Sequence, residues 1–436
     1  MSKPNLFEIS AAYGDAVALH DIASGRIVRH SELLSYHEQQ ARGVAFGGSV
    51  ATCRRPDFDH AVFLLAMLAQ GRQVVPISPR LPADEVARRA AFAGVSGILT
   101  DRGFEKIEPT TSQNKPCGSV LFTSGSSGSA RAIVHDLSAH IANAESAATR
   151  IPLEPGCGWM LSLPLHHVSG FSVLIRCLLS GATVVFPDPS LPLDLQISNP
   201  LVTHVSVVSL QLQRLLEAKA PIHRLRAVLG GGGSFPSNLV AKAVHVGTPL
   251  HLTYGMTETA SQITTTERLH EVTHPLHAGS PLPGREVKIS DSGEILVRGD
   301  FLARGILAAD GSIVPLTDSE GFFATRDIGE ITPGGNLVIL GRRDRMIISG
   351  GENIHPEMIE SLLSEAPGVQ RAVVVGIPHE EYGQRPVAYV AGDVDAEKLR
   401  DYLASRLERF AIPDAFLPWP EGIPTNEAKI DFTRFG

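Results

Sequence analysis

Cysteine is scarce in this chain: Cys53, Cys117, Cys157 and Cys177 are all it has. Their wide spacing contains no CxxC pair, so no zinc or dithiol motif is expected. Reduced, buried thiols in the cytoplasm fit better. Long apolar runs are missing too. The longest strongly apolar stretch, AVFLLAMLAQ at 61–70, is far shorter than the ~20 residues that span a bilayer. The opening MSKPNLFEIS has no apolar centre of an export signal. No basic block occurs and the net charge is −8, so neither nucleic acid nor membrane is an expected partner. There is no internal repeat and no low-complexity tract. The pattern G-x-x-x-x-G-K-S/T is also absent, so any phosphate grip here is not a Walker loop.

What is present builds a large folded body. With 436 residues, 43% hydrophobic and 19% charged, the chain can fill the cores of about two to three domains. Short apolar runs alternate with helical patterns. RQVVPIS at 72–78, SGILTD, ATVVFPD at 182–188, THVSVVS at 203–209 and RAVLGGG at 226–232 read as strands. PADEVARRAAFAG at 82–94 and LQLQRLLEAKA at 210–220 read as helices. That alternation predicts an α/β fold with largely parallel sheets. From about 285, REVKI, GEILVRG and NLVIL predict a small β-rich subdomain. HPEMIESLLSEAPGVQRAVVVGIPHEEYGQRPVAYVAG then reads helix, strand, turn, strand, and AEKLRDYLASRL closes a compact α+β unit. The boundary is placed in GRRDRM, giving a large N-terminal domain over 1–343 and a small C-terminal domain over 344–436.

One stretch builds no core. TSGSSG at 123–128 follows the apolar GSVLF. Glycine lets the backbone wrap a ligand, and hydroxyls with successive N–H groups make a nest for anions. A run of this kind is equally a flexible linker. Other polar stretches stand where strands end: LPLHHVSG at 163–170, YGMTETAS at 254–261, ATRDIGE at 324–330 and GRRDRMIISGGENIHPEMIE at 341–360. TNEAKIDF at 425–432 carries Lys429, the only lysine after Lys398. Each alone has an everyday explanation: HH as core or cap histidines, TET as a helix start, GG as a turn, Lys429 as a solvated charge. Together they suit a nucleoside triphosphate. A hydroxyl-rich loop holds phosphates, a Glu beside a Thr binds Mg2+, a Tyr face stacks on a purine, an Asp accepts from ribose hydroxyls, and a Lys neutralises charge at the reacting phosphate.

The order and spacing of these motifs resemble the acyl-adenylate-forming ligase superfamily over nearly the whole chain, from LLAMLAQGRQVVPISPRLP to AKID. Within it, SLPLHHVSG, GSPLPGREVKI, ATRDIGE and ISGGENIHPEMIE look most like the o-succinylbenzoate–CoA ligases of menaquinone biosynthesis. The resemblance implies that Thr123, Ser124, Gly125, Ser126, Ser127 and Gly128 form a mobile phosphate loop. It implies that Gly231 and Gly232 flank the adenine, that Tyr254 packs on its face and that Thr257 touches the α-phosphate. Glu258 would hold Mg2+, and Asp327 would bind the ribose with Arg342 beside it. His167 would line and gate the acyl pocket. Asp344 would be the hinge of a mobile C-terminal domain, Gly350 and Gly351 would lie along the pantetheine tunnel, and Lys429 would be the adenylation lysine.

Two departures stand out. The related loops continue with Pro-Lys-Gly, whereas this one reads SARA and puts Arg131 where the lysine is expected; Arg keeps the charge but not the geometry of Lys at a phosphate. The last motif, TNEAKID, lacks the usual glycine before its lysine. The implied reaction uses ATP, Mg2+ and CoA. A carboxylate attacks the α-phosphate and expels pyrophosphate; the CoA thiol then takes the acyl group and AMP leaves. Another aryl- or acyl-CoA ligase, an enzyme loading a carrier protein and a non-catalytic adenylate sensor remain as alternatives. Association into a homo-oligomer is compatible with any of them. With no carrier domain expected after residue 436, the carrier-loading alternative is weaker, and a sensor has no need of Glu258 or Lys429. o-Succinylbenzoate carries a second carboxylate that needs a polar anchor. Arg214 in LQLQRLL is the candidate, assisted by Ser169, Ser209 and Gln262.

Overall fold

The computed structural model describes residues 6–33, 35, 48–107, 117–123, 130–273, 275–425 and 432–435. Among these, the strands form four sheets. The first runs, in spatial order, Ser280–Pro281, Ser261–Thr265, Leu250–Met256, Ala227–Gly230, His204–Val207, Gly158–Met160, Thr183–Phe186, Val17–Asp21 and Ile27–Arg29. Its six central strands are parallel and its edges antiparallel. The second has a parallel centre of Gly118–Thr123, Gln73–Pro76, Val50–Cys53 and Gly97–Thr100. Parallel strands are covered on both faces, which is why all four residues of His204–Val207, Gln73–Pro76 and Ala227–Gly230 are buried.

Helices Phe58–Ala69 and Val168–Ser180 share one core with strands of both large sheets: Leu64, Leu65, Phe171 and Leu174 pack with Leu19 and Val184 of the first and with Val50 and Val74 of the second. The β-rich stretch after 285 is an antiparallel sheet of Glu286–Ile289, Glu294–Arg298, Phe323–Ile331 and Leu337–Arg342. The fourth sheet draws only on residues after 346. It is built around the long hairpin Val369–His379 and Gly383–Gly392, with helices Pro356–Glu365 and Ala396–Ala404 supplying its core. No helix among the described residues is long and apolar enough to cross a membrane.

Several histidines are buried in this scaffold. Burial pushes His60 down to about 3 and His135 down to about 4. Both are neutral when folded, whereas the unfolded chain protonates near 6.5. The unfolded state therefore binds more protons below that pH, and stability falls as pH falls. Between pH 6.5 and 4 each should remove up to about 1.4 kcal/mol per pH unit. The urea midpoint should drop steadily over that window, and His60→Asn should flatten the drop. A midpoint unchanged from pH 7 to pH 4.5 would show that these imidazoles do not stay neutral.

Candidate active site

The polar motifs gather at the carboxyl ends of the parallel strands, where open α/β sheets place their ligands. Ser209 follows His204–Val207, Gly231 follows Ala227–Gly230, and Thr257 follows Leu250–Met256. At Gly231 a side chain would run into Thr253, with Cγ2 2.7 Å from the Cβ position, and Gly232 has φ +80°. Glycine is required at both, the first for close approach and the second for a left-handed turn.

Tyr254, Asp327 and Arg342 form one bonded unit. The Tyr254 hydroxyl donates to Asp327 Oδ2 at 2.7 Å, and Arg342 Nη1 donates to Oδ1 at 3.0 Å. Burial raises the Asp327 carboxyl, while these two donors pull it back. Arg342 also reaches Asp344 through Nε at 3.2 Å. Burial works against the guanidinium, but the two aspartates outweigh it and raise its pKa. The hydroxyl bond anchors the tip of the Tyr254 side chain on Asp327. Asp344 stands in the short turn Arg343–Arg345, whose last residue pairs with Glu357 at 2.9 Å and Glu360 at 2.6 Å.

Thr257 and Glu258 occupy a 3-10 turn that ends in two residues of positive φ, Ala260 at +50° and Ser261 at +127°. Strain of this kind persists only where the surroundings enforce it. Glu258 is half-buried, and burial raises its carboxyl; Arg131 and Arg342 oppose the rise and Asp327 adds to it. A carboxylate that resists its own charge gains from a cation. No group of three or more His, Cys, Asp or Glu able to hold a metal exists among the described residues. Mg2+ takes one or two carboxylates and completes its shell with water and substrate phosphates.

Thr123 and Arg131 face each other across the antiparallel pair Gly118–Thr123 and Arg131–Asp136. The chain between them therefore joins two neighbouring strands, unlike a Walker loop, which feeds a helix. Ser124, Gly125, Ser126, Ser127, Gly128 and Lys429 lie outside the described residues. Gly350 and Gly351 make the exposed turn between Ile347–Ser349 and Glu352–Ile354, at φ +62° and +92°. His167 is exposed at the start of helix Val168–Ser180, its ring 4.5 Å from that of His166. Ser169 is half-buried in the first turn of the same helix.

Arg214 does not join Gln262. Helix Ser209–Glu217 turns Leu212 and Leu215 inward and leaves Arg214 exposed, as its spacing from those leucines requires. The cation beside Gln262 is Arg176, which stands in none of the polar motifs. It is 4% exposed, donates through Nη2 to Gln262 Oε1 at 2.8 Å, and lies 4.4 Å over the Trp159 ring. Its Nε has no partner, and burial lowers it to about 10. No carboxylate pairs with it among the described residues. The signal was legible: one arginine inside the apolar helix run SVLIRCLL, where a charge is almost never buried unless paired.

Tyr254, Asp327 and Arg342 bonded to one another, with Glu258 in the field of Arg342 and Asp327 and a buried cation on Gln262, define an adenylate-handling class. Residues 107–307 match the AMP-binding enzyme family and residues 358–428 its C-terminal domain. The chain is 36% identical over 386 residues to a 2-succinylbenzoate–CoA ligase of Salmonella typhimurium, covering 84% of this chain and 82% of that one. A ligase of the same name from Haemophilus influenzae is 34% identical, covering 95% and 93%. Among solved structures, o-succinylbenzoate CoA synthetase from Bacillus subtilis in complex with the acyl-adenylate OSB-AMP superimposes with a TM-score of 0.85 at 27% identity, covering 98% and 97%. E. coli MenE with a phenylether-linked analogue of OSB-AMS gives 0.81 at 31%, covering 97% of each chain. The chain belongs to the 2-succinylbenzoate–CoA ligase family of AMP-binding enzymes.

Proposed function

We propose that this protein converts 2-succinylbenzoate, an acid of menaquinone biosynthesis, to its CoA thioester with ATP and Mg2+, releasing AMP and pyrophosphate. The observation that carries the choice of acid is Arg176: a buried guanidinium with neutral partners and an unused donor. A lone buried charge is costly; a substrate carboxylate would relieve it. 2-Succinylbenzoate has one carboxylate to react and one to be held. Arg176 and Gln262 hold the second, and Arg214 has no part in this. The reading places the enzyme in the cytoplasm, where ATP and CoA are found.

Asp327 accepts from the ribose hydroxyls, Tyr254 supports the purine and Thr257 meets the α-phosphate. Attacker and leaving group are both anionic, so the chain's main work is electrostatic. Mg2+, held by Glu258 and the phosphates, would supply charge neutralisation at the leaving pyrophosphate. Arg131 and Lys429 provide fixed positive charge. The segment 344–436 turns about Asp344 between steps, presenting Lys429 in the first and the Gly350–Gly351 turn in the second. Hinge closure by a few turn residues is a common mode of domain motion. His167, at the helix start, closes the acyl side.

The test is pyrophosphate release with MgATP across a panel of aryl acids, with and without CoA. 2-Succinylbenzoate should be strongly preferred, and thioester should appear only with CoA. Equal rates for benzoate and 2-succinylbenzoate would overturn the choice of acid. Glu258→Gln should cripple adenylation, because a neutral amide replaces a hard anionic ligand. If Glu258 only complements a turn terminus, its loss costs at most about 1 kcal/mol of stability, and turnover would stay normal.

A further inference from the structure

We propose that His135 is a positioning residue for the phosphate-side turn, holding Thr257 and Glu258 through a hydrogen bond to the Thr257 carbonyl. The inference rests on the adenylation reaction proposed above and names a part of its machinery. His135 is fully buried in strand Arg131–Asp136, and its Nε2 lies 2.6 Å from the Thr257 oxygen. A carbonyl only accepts, so Nε2 carries the proton and Nδ1 is the bare nitrogen. Nδ1 faces the Ser119 hydroxyl at 3.4 Å, and that hydroxyl lies 2.8 Å from His140 Nε2. The His135 and His140 rings are 4.7 Å apart, and His140 packs against Phe171 at 4.8 Å. The imidazole is thus boxed in on all sides, with its one donor aimed at Thr257.

The turn needs such a support. The Thr257 carbonyl also accepts from Ala260 N–H at 3.1 Å, closing the 3-10 turn at the first of the two residues of positive φ. Within the turn Met256 N–H donates to Thr259 Oγ1 at 3.1 Å and Thr259 Oγ1 to Ser261 O at 2.9 Å, and Ala303 N–H donates to the Glu258 carbonyl at 2.8 Å; His135 is the side chain that holds the Thr257 carbonyl. Asn143, from the helix after the strand, grips the far side through Thr259 O and Gln262 O, both at 2.9 Å. His135 therefore secures the phosphate end and Asn143 the acid end. Arg131 sits four residues before His135 in the same strand, hence on the same face, and its charge acts on Glu258. One strand thus carries both a cation for the site and the brace for its carboxylate.

The test compares His135→Leu, which removes the donor, with His135→Gln, whose amide nitrogen stands the same number of bonds from Cβ as Nε2. His135→Asn, one bond short, serves if the leucine variant does not fold. Pyrophosphate release and thioester formation from preformed acyl-adenylate are measured separately. A misplaced catalytic group costs on the order of 10² in rate. His135→Leu or His135→Asn should lose about that factor in kcat for adenylation, with KM for the acid little changed and the second step near normal. His135→Gln should recover most of the loss. Equal loss in both steps, no loss in either, or no recovery with Gln would overturn the brace. A wild-type protein that releases no pyrophosphate would overturn the proposed function itself, and the brace with it.

Discussion

Lys429→Ala is expected to cut acyl-adenylate formation by about 10²–10³ while leaving thioester formation from preformed adenylate near its normal rate. The asymmetry follows from where charge develops. In the first step an anionic carboxylate attacks an anionic phosphate, and negative charge gathers on the α-phosphate. An ammonium aimed there stabilises the transition state more than the ground state, which is what accelerates a reaction. The second step joins a thiol to an already activated anhydride and makes no such demand. Gly351 provides the mirror image. It has φ +92° with open space around its Cβ position, so Gly351→Leu should slow thioester formation and spare adenylation. If Lys429→Ala slows both steps alike, the C-terminal segment does not alternate. If it slows neither, Lys429 is a solvated charge and TNEAKIDF does not carry the adenylation lysine.

Arg176→Met should raise KM for 2-succinylbenzoate by roughly 30-fold to over 1,000-fold, corresponding to about 2–5 kcal/mol for one partner of a buried charge pair. KM for unsubstituted benzoate should change by a few-fold at most. The fold should survive, because replacing a buried charge by an apolar side chain of similar volume is often neutral or stabilising. A thermal midpoint equal to or above wild type, together with the selective KM effect, separates substrate binding from structure. Equal loss for both acids would mean that Arg176 serves packing through Trp159 and Gln262 rather than the free carboxylate. Arg214→Ala, on the exposed face of its helix, is the control and should leave both acids unchanged.

Much of the site was legible from the chain because its parts are local. A Gly-Gly after a buried strand, a Thr-Glu at a strand end and an Asp in ATRDIGE announce themselves by residue type and position. The choice between the two arginines was not legible in the same way. Arg214 lies in an amphipathic helix among polar neighbours, whereas Arg176 lies inside the apolar run SVLIRCLL. Helical phase decides exposure, and Arg214 shares no face with Leu212 and Leu215. Burial of Arg176 depends on Trp159 and Gln262, distant in sequence and brought to it only by the sheet order.

The sequence by itself determined the alternation of strands and helices, the β-rich change of texture after 285, and the α+β pattern of the last 90 or so residues. These depend on hydrophobic periodicity and turn chemistry, which act over a few residues. Tertiary structure alone decided which side chains meet. It put Tyr254 on Asp327 across 73 residues and Arg176 on Gln262 across 86. It placed His135 under Thr257 across 122. The antiparallel partner of Gly118–Thr123 and the positive φ at Ala260 and Ser261 belong to the same category. Such contacts have no local signature: the order of strands in a sheet, not the run of residues along one strand, sets who faces whom.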